Sequence, residues 1–532
     1  MNNSKFLFWF AVLFSRLILL LFLSTSDVGL MPDEAQYWTW SQFLSLGYYS
    51  KPPAIAWQIA LGTALFGNTE LGIRFISLIL PVFSSLIIVK ITEYITNNKR
   101  SSWLAATAFI LSPIGMTGSI LATTDNGLIL FWLLATLLCL REKQLGTGLM
   151  IAIGALWKWM IYILWIPIAL CRNLETQLAT YRPAESSIVN QSDSDRDSPR
   201  EQPLASSRSE PSQSPIKSQQ TDRWQVGFEW KSLLISLLGV IPTLWWNYHH
   251  DWATFRHVGT AITGSHATGP GPNPGQFFLA NLALLSPLFA LLALPSLFSR
   301  EKETRLLRTI FFIVWGGIFL LSFFRKIQGN WAVAPLTMLF PLIGITFSRK
   351  PSWQRWPFTI ACSFSLILQA LILSGPYIDN HLTAINPLRQ GIGSKQISPI
   401  LLEAGYNPKH DFLFSDRYQT TSLLWFYGPK QRKTYFLNIH GLRNNQFLYW
   451  PGMPEECKGK TGYFIALIPS REAQTIKYRI KKTIHLLSPY FEQLSPTTVH
   501  PILSLHERPV RYMIIIKAQG YNGLSPKKTK NF

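Results

Sequence analysis

Long apolar stretches alternate with short polar loops through most of this chain. A helix needs roughly 20 apolar residues to cross the hydrocarbon core of a bilayer. Stretches approaching that length occupy residues 7–24, 75–94, 103–120, 128–140, 145–170, 232–246, 277–298, 310–324, 331–347 and 358–373. The stretch at 145–170 is too long for one helix and has Lys158 in its middle. It reads as two short or re-entrant segments, which brings the total to about eleven crossings. The pattern predicts an α-helical polytopic membrane protein. The first stretch lacks a small-residue cleavage site and reads as a retained helix, not a signal peptide.

Two segments break the pattern. Residues 173–224 are rich in Ser, Gln, Pro, Asp and Arg and nearly devoid of large apolar side chains. Such a segment cannot bury enough surface to offset the entropy of ordering, so a disordered cytoplasmic loop is expected over 173–230. From residue 374 onward the period changes. Short β-rich runs at 412–415, 434–439, 463–468 and 512–517 alternate with helix-like stretches at 418–427 and 473–487. That alternation predicts a small α/β domain. The expected organisation is a catalytic transmembrane module at 1–172, the loop at 173–230, a second transmembrane module at 231–373 and a soluble extracytoplasmic α/β domain at 374–532.

The formal net charge of +21 would suggest nucleic acid as the partner of a soluble chain. Here many of the cations sit in short loops at 99–100, 141–143, 300–308 and 349–355, so they orient the protein and point to no nucleic acid. By the positive-inside rule those loops are cytoplasmic. Alternation then places Asp33 and Glu34, Thr123-Thr-Asp125, residues 249–266 and residues 325–330 on the outer face. Parity puts the C-terminal domain there too, against the pull of the basic run Lys527-Lys-Thr-Lys530. The expected setting is a bacterial inner membrane, with the active site and the C-terminal domain on the periplasmic face. The four cysteines show no pairing framework and no CxxC spacing.

The outer face carries the candidate chemistry. Met31-Pro-Asp-Glu-Ala35 holds two adjacent carboxylates where the first span meets water. Paired acids at a membrane edge cost desolvation energy and tend to serve chemistry or ion binding. Asp33 and Glu34 can act as a general base, and Asp33 with Asp125 could hold a divalent cation such as Mg, Mn or Zn. Tyr37, Trp38 and Trp40 follow, and aromatic faces suit sugar rings. Lys51, in Ser-Lys-Pro-Pro, is a point cation on a loop stiffened by two prolines; it suits a phosphate or snorkels to headgroups. Asp125 has the position of a helix N-cap, which alone would explain it. Arg16 and Lys158 lie inside apolar stretches and should partner an acid or a lipid phosphate.

Farther along, Trp245-Trp-Asn-Tyr-His-His-Asp-Trp252 leads into Arg256 and His257. The tryptophans fit an interfacial belt, while His250 and Arg256 could contact a diphosphate-like group. Lys326 and Asn330 end a later crossing beside Trp331. Residues 264–275 form a Gly-rich run expected to be a mobile loop. No Walker or dinucleotide motif occurs, so no nucleotide is expected.

Pro32-Asp-Glu-Ala-Gln-Tyr-Trp-Thr-Trp40, Gly47-Tyr-Tyr-Ser-Lys-Pro-Pro-Ala-Ile-Ala-Trp57 and Leu61-Gly-Thr-Ala-Leu-Phe-Gly67 resemble the opening of the GT-C glycosyltransferases. The similarity is to the branch of bacterial dolichyl-phosphate-mannose-protein mannosyltransferase-like enzymes and the lipid A aminoarabinose transferase. Thr124-Asp125, Leu244 to Trp252, Asn330-Trp331 and Asp416-Arg-Tyr-Gln419 look like further landmarks. The resemblance covers the chain from Phe6 to Pro451 outside the polar insert. It implies an inverting transfer of a sugar from a polyprenyl-phosphate donor to a hydroxyl of lipid A, a glycan or a protein. By matching position, Asp33 would be the catalytic base, Glu34 its neighbour, Asp125 a second catalytic acid and Lys51 the contact to the lipid phosphate. Arg256 falls near a family basic residue. Read from the residues themselves and not from the resemblance, His250, Tyr37, Lys158 and Lys326 are further candidates to line the substrate site. Relatives carry Asp or Pro where this chain has Asn126. The competing readings are a transporter or flippase of a lipid-linked sugar, which should show matched broken halves, and a non-catalytic scaffold.

Overall fold

The computed structural model describes residues 3–172, 230–263, 271–505 and 507–527. The loop expected to be disordered lies outside the described residues except for Trp230, as do residues 264–270 of the Gly-rich run and 528–530 of the basic tail.

The first part of the chain is helical throughout: α1 (Asn3–Thr25), α2 (Pro32–Ser41), α3 (Ala54–Phe66), α4 (Glu70–Thr96), α5 (Lys99–Leu111), α6 (Pro113–Ile120), α7 (Thr124–Leu140) and α8 (Gln144–Ala155). Among the described residues, Glu70–Thr96, Lys302–Leu321 and Trp353–Ser374 are long, continuous and apolar enough to cross a membrane. Three bent pairs raise that number to six at most. The expected count of about eleven crossings is not confirmed by that measure, which also leaves shorter apolar helices at Ala54–Phe66, Thr124–Leu140, Gln144–Ala155 and Trp159–Arg172 among the described residues. Apolar length is not helix length. The stretch at 103–120 is α5 and α6 bent by 59°, and Pro274–Leu285 with Pro287–Leu297 is bent by 92°. At both breaks a proline opens the second helix. It has no N–H to continue the ladder and is suited to the first helical turn.

The break between α5 and α6 also explains Arg16. Its guanidinium donates to the carbonyl of Ile110, while Ser365 and Gln369 donate to the carbonyl of Leu111 at 2.6 and 2.5 Å. The expectation of an acid or a lipid phosphate is therefore corrected: Arg16 satisfies backbone that the kink releases.

The C-terminal part carries a six-stranded sheet of β1 (Phe412–Ser415), β2 (Thr434–Phe436), β3 (Gly462–Pro469), β4 (Phe491–Leu494), β5 (Thr498–Leu505) and β6 (Arg508–Tyr521). Its order is β2-β1-β3-β6-β4, with β5 also on β6. β1 pairs in parallel with β2 and β3, and β6 pairs antiparallel with β3, β4 and β5. The helix Tyr418–Tyr427 forms the β1-to-β2 crossover. It lies on α2, where Trp38 meets Trp425 and Phe426 edge-on at 6.0 and 5.0 Å. Burying one such aromatic removes on the order of 200 Å² from water, about 5 kcal/mol as an upper bound. One apolar cluster joins α2, α3, Leu424, Tyr463 and Ile515, so the sheet is bound to the first loops.

Candidate functional site

α2 begins where the sequence provides for it. Pro32 occupies the first turn, and Glu34 reaches back to accept from the amide of Met31 at 2.9 Å. Two acids in that turn also complement the helix dipole. Neighbours in sequence, they face different surroundings. Glu34 is buried and receives both Nε and Nη2 of Arg74 at 2.9 and 2.7 Å. It further accepts from the amide of Ala122 at 3.0 Å. Arg74 completes the knot by donating to the carbonyl of Gly29 at 3.1 Å. Both oxygens of Glu34 are thereby occupied, and both side chains are 1% exposed. The geometry gives Glu34 an anchoring place and not a proton-transfer one.

Asp33 opens instead into a cavity lined also by Pro32, Arg417 and Thr420. Its surface is accessible from that cavity although protein surrounds it. Burial lifts its carboxyl above the usual range, opposed by Lys51 and Arg443 and reinforced by Glu34.

Asp125 is not the cap of α7; Thr123 holds that place, with extended backbone. The carboxylate turns to Lys158 Nζ at 2.7 Å and to Asn330 Nδ2 at 2.9 Å. The approach depends on a glycine. A Cβ on Gly127 would stand 2.3 Å from the indole of Trp157, the residue before Lys158. The break expected within 145–170 is found between α8 and the helix Trp159–Arg172, and it presents Lys158 to the acid.

Lys51 sits on a loop held from three sides. Tyr48 stacks on Trp40 at 4.7 Å, its carbonyl accepts from Thr254 Oγ1 at 3.0 Å, and the amide of Tyr49 donates to Gln446 at 2.7 Å. The loop also closes on itself, from the Tyr48 amide to the Lys51 carbonyl at 3.1 Å. Burial, then Lys158, lower the ammonium to about 8 against the pull of Asp125 and Asp33. Tyr37 is buried and feels both Asp33 and Asp125, so the two acids flank one tyrosine.

Sequence reasoning missed what the C-terminal part adds. Arg443 acts electrostatically on Asp33 and Lys51 and donates to the Tyr418 hydroxyl at 3.2 Å. Its loop is fixed nearby by His440 on Asp416 at 3.0 Å. The landmark Asp416-Arg-Tyr-Gln419 was the available signal. For Arg74 the signal was a cation at the edge of an apolar stretch, one helical turn after Glu70.

Three expected substrate residues stand elsewhere. His250 folds back on its own turn, stacking on Trp246 at 4.1 Å with Nδ1 2.7 Å from the Trp246 carbonyl. Arg256 is exposed and acts on Tyr449, which neighbours Tyr49, so it borders the Lys51 loop. Lys326 points out because Asn273 clasps the backbone of Ile327 at 2.8 and 2.9 Å and turns Ile327 inward. Asn330 is the residue of that segment that reaches Asp125.

The donor set does not fit the divalent cation expected at Asp33 and Asp125. Asp125 already binds an ammonium and an amide, and Lys51, Lys158 and Arg443 supply positive charge. No group of three or more His, Cys, Asp or Glu side chains is arranged as ligands among the described residues.

Residues 50–179 match the family described as dolichyl-phosphate-mannose-protein mannosyltransferase. The lipid A galacturonosyltransferase RgtD of Rhizobium johnstonii is 34% identical over 126 residues, covering 23% of this chain and 26% of that protein. The undecaprenyl phosphate-alpha-4-amino-4-deoxy-L-arabinose arabinosyl transferase of Pseudomonas savastanoi pv. phaseolicola is 33% identical over 113 residues, covering 19% and 21%. The matched region thus spans about a quarter of the length of these curated relatives. The whole fold extends further. Apo ArnT from Cupriavidus metallidurans superposes with a TM-score of 0.58 at 10% identity, covering 96% of this chain and 97% of that one. The same protein bound to undecaprenyl phosphate gives 0.54 at 11% identity, covering 97% and 98%.

Proposed function

We propose that this chain, a multi-pass membrane protein with the GT-C fold, is a glycosyltransferase. It moves a sugar from a polyprenyl-phosphate donor to a hydroxyl of lipid A, another glycan or a protein. The reaction would run at the periplasmic face of a bacterial inner membrane. The observation that carries the reading is that one unspent carboxylate, Asp33 in the first turn of α2, shares its electrostatic surroundings with a cation, Lys51, on a loop held from three sides.

The acceptor hydroxyl gives its proton to Asp33 as its oxygen attacks the anomeric carbon. The bond from that carbon to the phosphate oxygen breaks on the opposite face, so configuration inverts. The lipid phosphate leaves with the electron pair, and Lys51 offsets its charge. Asp125 holds Lys158, and the resulting pair steadies the wall behind Lys51. Glu34 and Arg74 fix the turn from which Asp33 projects. Tyr37 offers its ring between the two acids.

Purified protein given an undecaprenyl-phosphate-linked sugar and envelope lipids should yield a glycosylated product by mass spectrometry. Absence of product across pentosyl and hexosyl donors, with donor bound, would overturn the reading.

A pH profile gives a second expected result. Asp33 must be ionised, so kcat/KM rises with pH through its elevated pKa. Lys51 must be charged, so kcat/KM falls as pH rises through about 8. Lys51→Arg should retain donor use and move the alkaline limb upward, because a guanidinium stays charged. Lys51→Ala should weaken donor use by about 10–100-fold, the size of a lost charge-assisted contact. An alkaline limb that stays near its original position in Lys51→Arg would remove Lys51 from the phosphate.

A further inference from the structure

One turn of the sheet domain reaches into the helical part of the chain. It is Gln446–Tyr449, between β2 and β3. Trp450, which follows it, packs on Phe43 with ring centroids 5.0 Å apart, and Tyr449 meets Trp246 edge-on at 5.8 Å. The turn thus sits between the loop after α2 and the helix Ile241–Tyr248. That helix also approaches the loop directly, since a Cβ on Gly47 would stand 2.9 Å from Trp246 Cβ.

These three touching segments present large apolar side chains outward. Phe43, Leu44 and Leu46 on the loop, Leu448 on the turn, and Trp245 and Tyr248 on the helix are exposed. Leu44 and Trp245 are each 60% exposed and Tyr248 71%. Single exposed apolar residues are ordinary, but a group on adjoining segments marks an interaction surface.

The backbone beneath it has its hydrogen bonds met within the protein. The Phe43 carbonyl accepts from the Tyr48 hydroxyl at 3.1 Å, and the Ser45 amide donates to the same oxygen at 3.1 Å. The Ser45 carbonyl accepts from the Trp57 indole at 3.1 Å, and the Phe43 amide donates to the Trp40 carbonyl at 3.0 Å. In the turn, the amides of Phe447 and Leu448 donate to Asn445 Oδ1 and to its carbonyl, at 3.0 and 3.2 Å. A loop in water can leave such groups to the solvent; one against lipid cannot.

Continuity selects the cover. The helix Ile241–Tyr248 ends a helical run from Trp230, along which Leu237, Leu238 and Ile241 are exposed, as on a side turned to acyl chains. Trp and Tyr at the end of such a run mark the headgroup level. We propose that the bilayer leaflet nearest the sheet domain covers this patch, with Leu44, Leu46 and Leu448 entering the boundary between headgroups and acyl chains. The sheet domain then rests on lipid as well as on protein. Gln446 in the seated turn accepts from the Tyr49 amide at 2.7 Å, so the depth of the turn in the leaflet sets the place of the Lys51 loop.

The test uses the full chain in lipid nanodiscs, one copy to a disc. Leu448→Cys and Lys481→Cys are labelled with a fluorophore, and the parent with its native cysteines gives the background. Lys481, exposed on the helix Ile476–Leu487, reports a water-facing site of the same domain. The Leu448 label should be quenched by lipids bearing a nitroxide near the headgroup and should lose most of its quenching by aqueous iodide. The Lys481 label should show the reverse. Iodide that reaches the Leu448 label as fully as the Lys481 label overturns the proposal. So does shielding that arises only in discs loaded with two copies, which would assign the patch to a second copy of this chain. Shielding that arises only on adding undecaprenyl phosphate also overturns it, in favour of a prenyl chain. Should Leu448→Cys fail to fold, Leu46→Cys decides by the same readout.

Discussion

Asp33→Asn is expected to lower kcat by roughly 10²–10⁴ while leaving donor affinity intact. The substitution keeps size and shape and removes the proton acceptor. Asp33 lies outside the Glu34–Arg74 knot, so the turn that carries it keeps every anchor described above. Single-turnover transfer with purified protein separates the chemical step from binding. A variant that folds, binds undecaprenyl phosphate and transfers at near the parental rate would dismiss Asp33 as the base. Asp125→Asn serves as the comparison. It loses the charge that holds Lys158 but keeps an oxygen facing it, so a smaller effect, spread over kcat and KM, is expected.

Arg74→Met is expected to be the most damaging change to stability in the first loops. It leaves Glu34 charged and sealed, and breaking one side of a buried pair typically costs about 3–5 kcal/mol. Glu34 also holds Met31 and Ala122, so the loss reaches the turn of Asp33 and the loop before α7. Arg74→Met/Glu34→Gln should recover part of the loss, because no lone charge remains. Thermal unfolding in detergent, followed by tryptophan fluorescence, reads both variants. Equal melting of Arg74→Met and parent would show that the pair is not the anchor.

The helical class and the C-terminal sheet were legible because each has its own period. The strand at 412–415 and the helix at 418–427 stand at the predicted residues. β4 and β5 were not read. Phe491–Leu494 carries two polar residues in its middle, and Thr498–Leu505 contains Pro501 and His500, so neither alternates clearly. Both are strands because β6 offers an edge to pair with. At the site, Asp33, Lys51, Asp125 and Lys158 were marked by charge in apolar or proline-stiffened surroundings. Arg74 and Arg443 were not, because their importance depends on partners 40 residues away or more. Charge density likewise misplaced His250 and Lys326: one is turned by ring stacking, the other by an asparagine that holds its neighbour's backbone.

The position of β6 in the sheet bears on how the protein is made. It joins β3, β4 and β5, and it is the last of the six strands along the chain. The helix Tyr418–Tyr427 packs on one face of that sheet and on α2 with the other. Its Tyr427 hydroxyl accepts from the amide of Leu30 at 2.6 Å and donates to Glu70, just ahead of the acids of α2. A nascent chain therefore inserts its membrane helices long before the wall beside Asp33 can close. Until β6 is made, the sheet that backs the helix Tyr418–Tyr427 lacks the strand that joins β3, β4 and β5. The sheet that backs the first loops is thus completed only by the last-made of its strands.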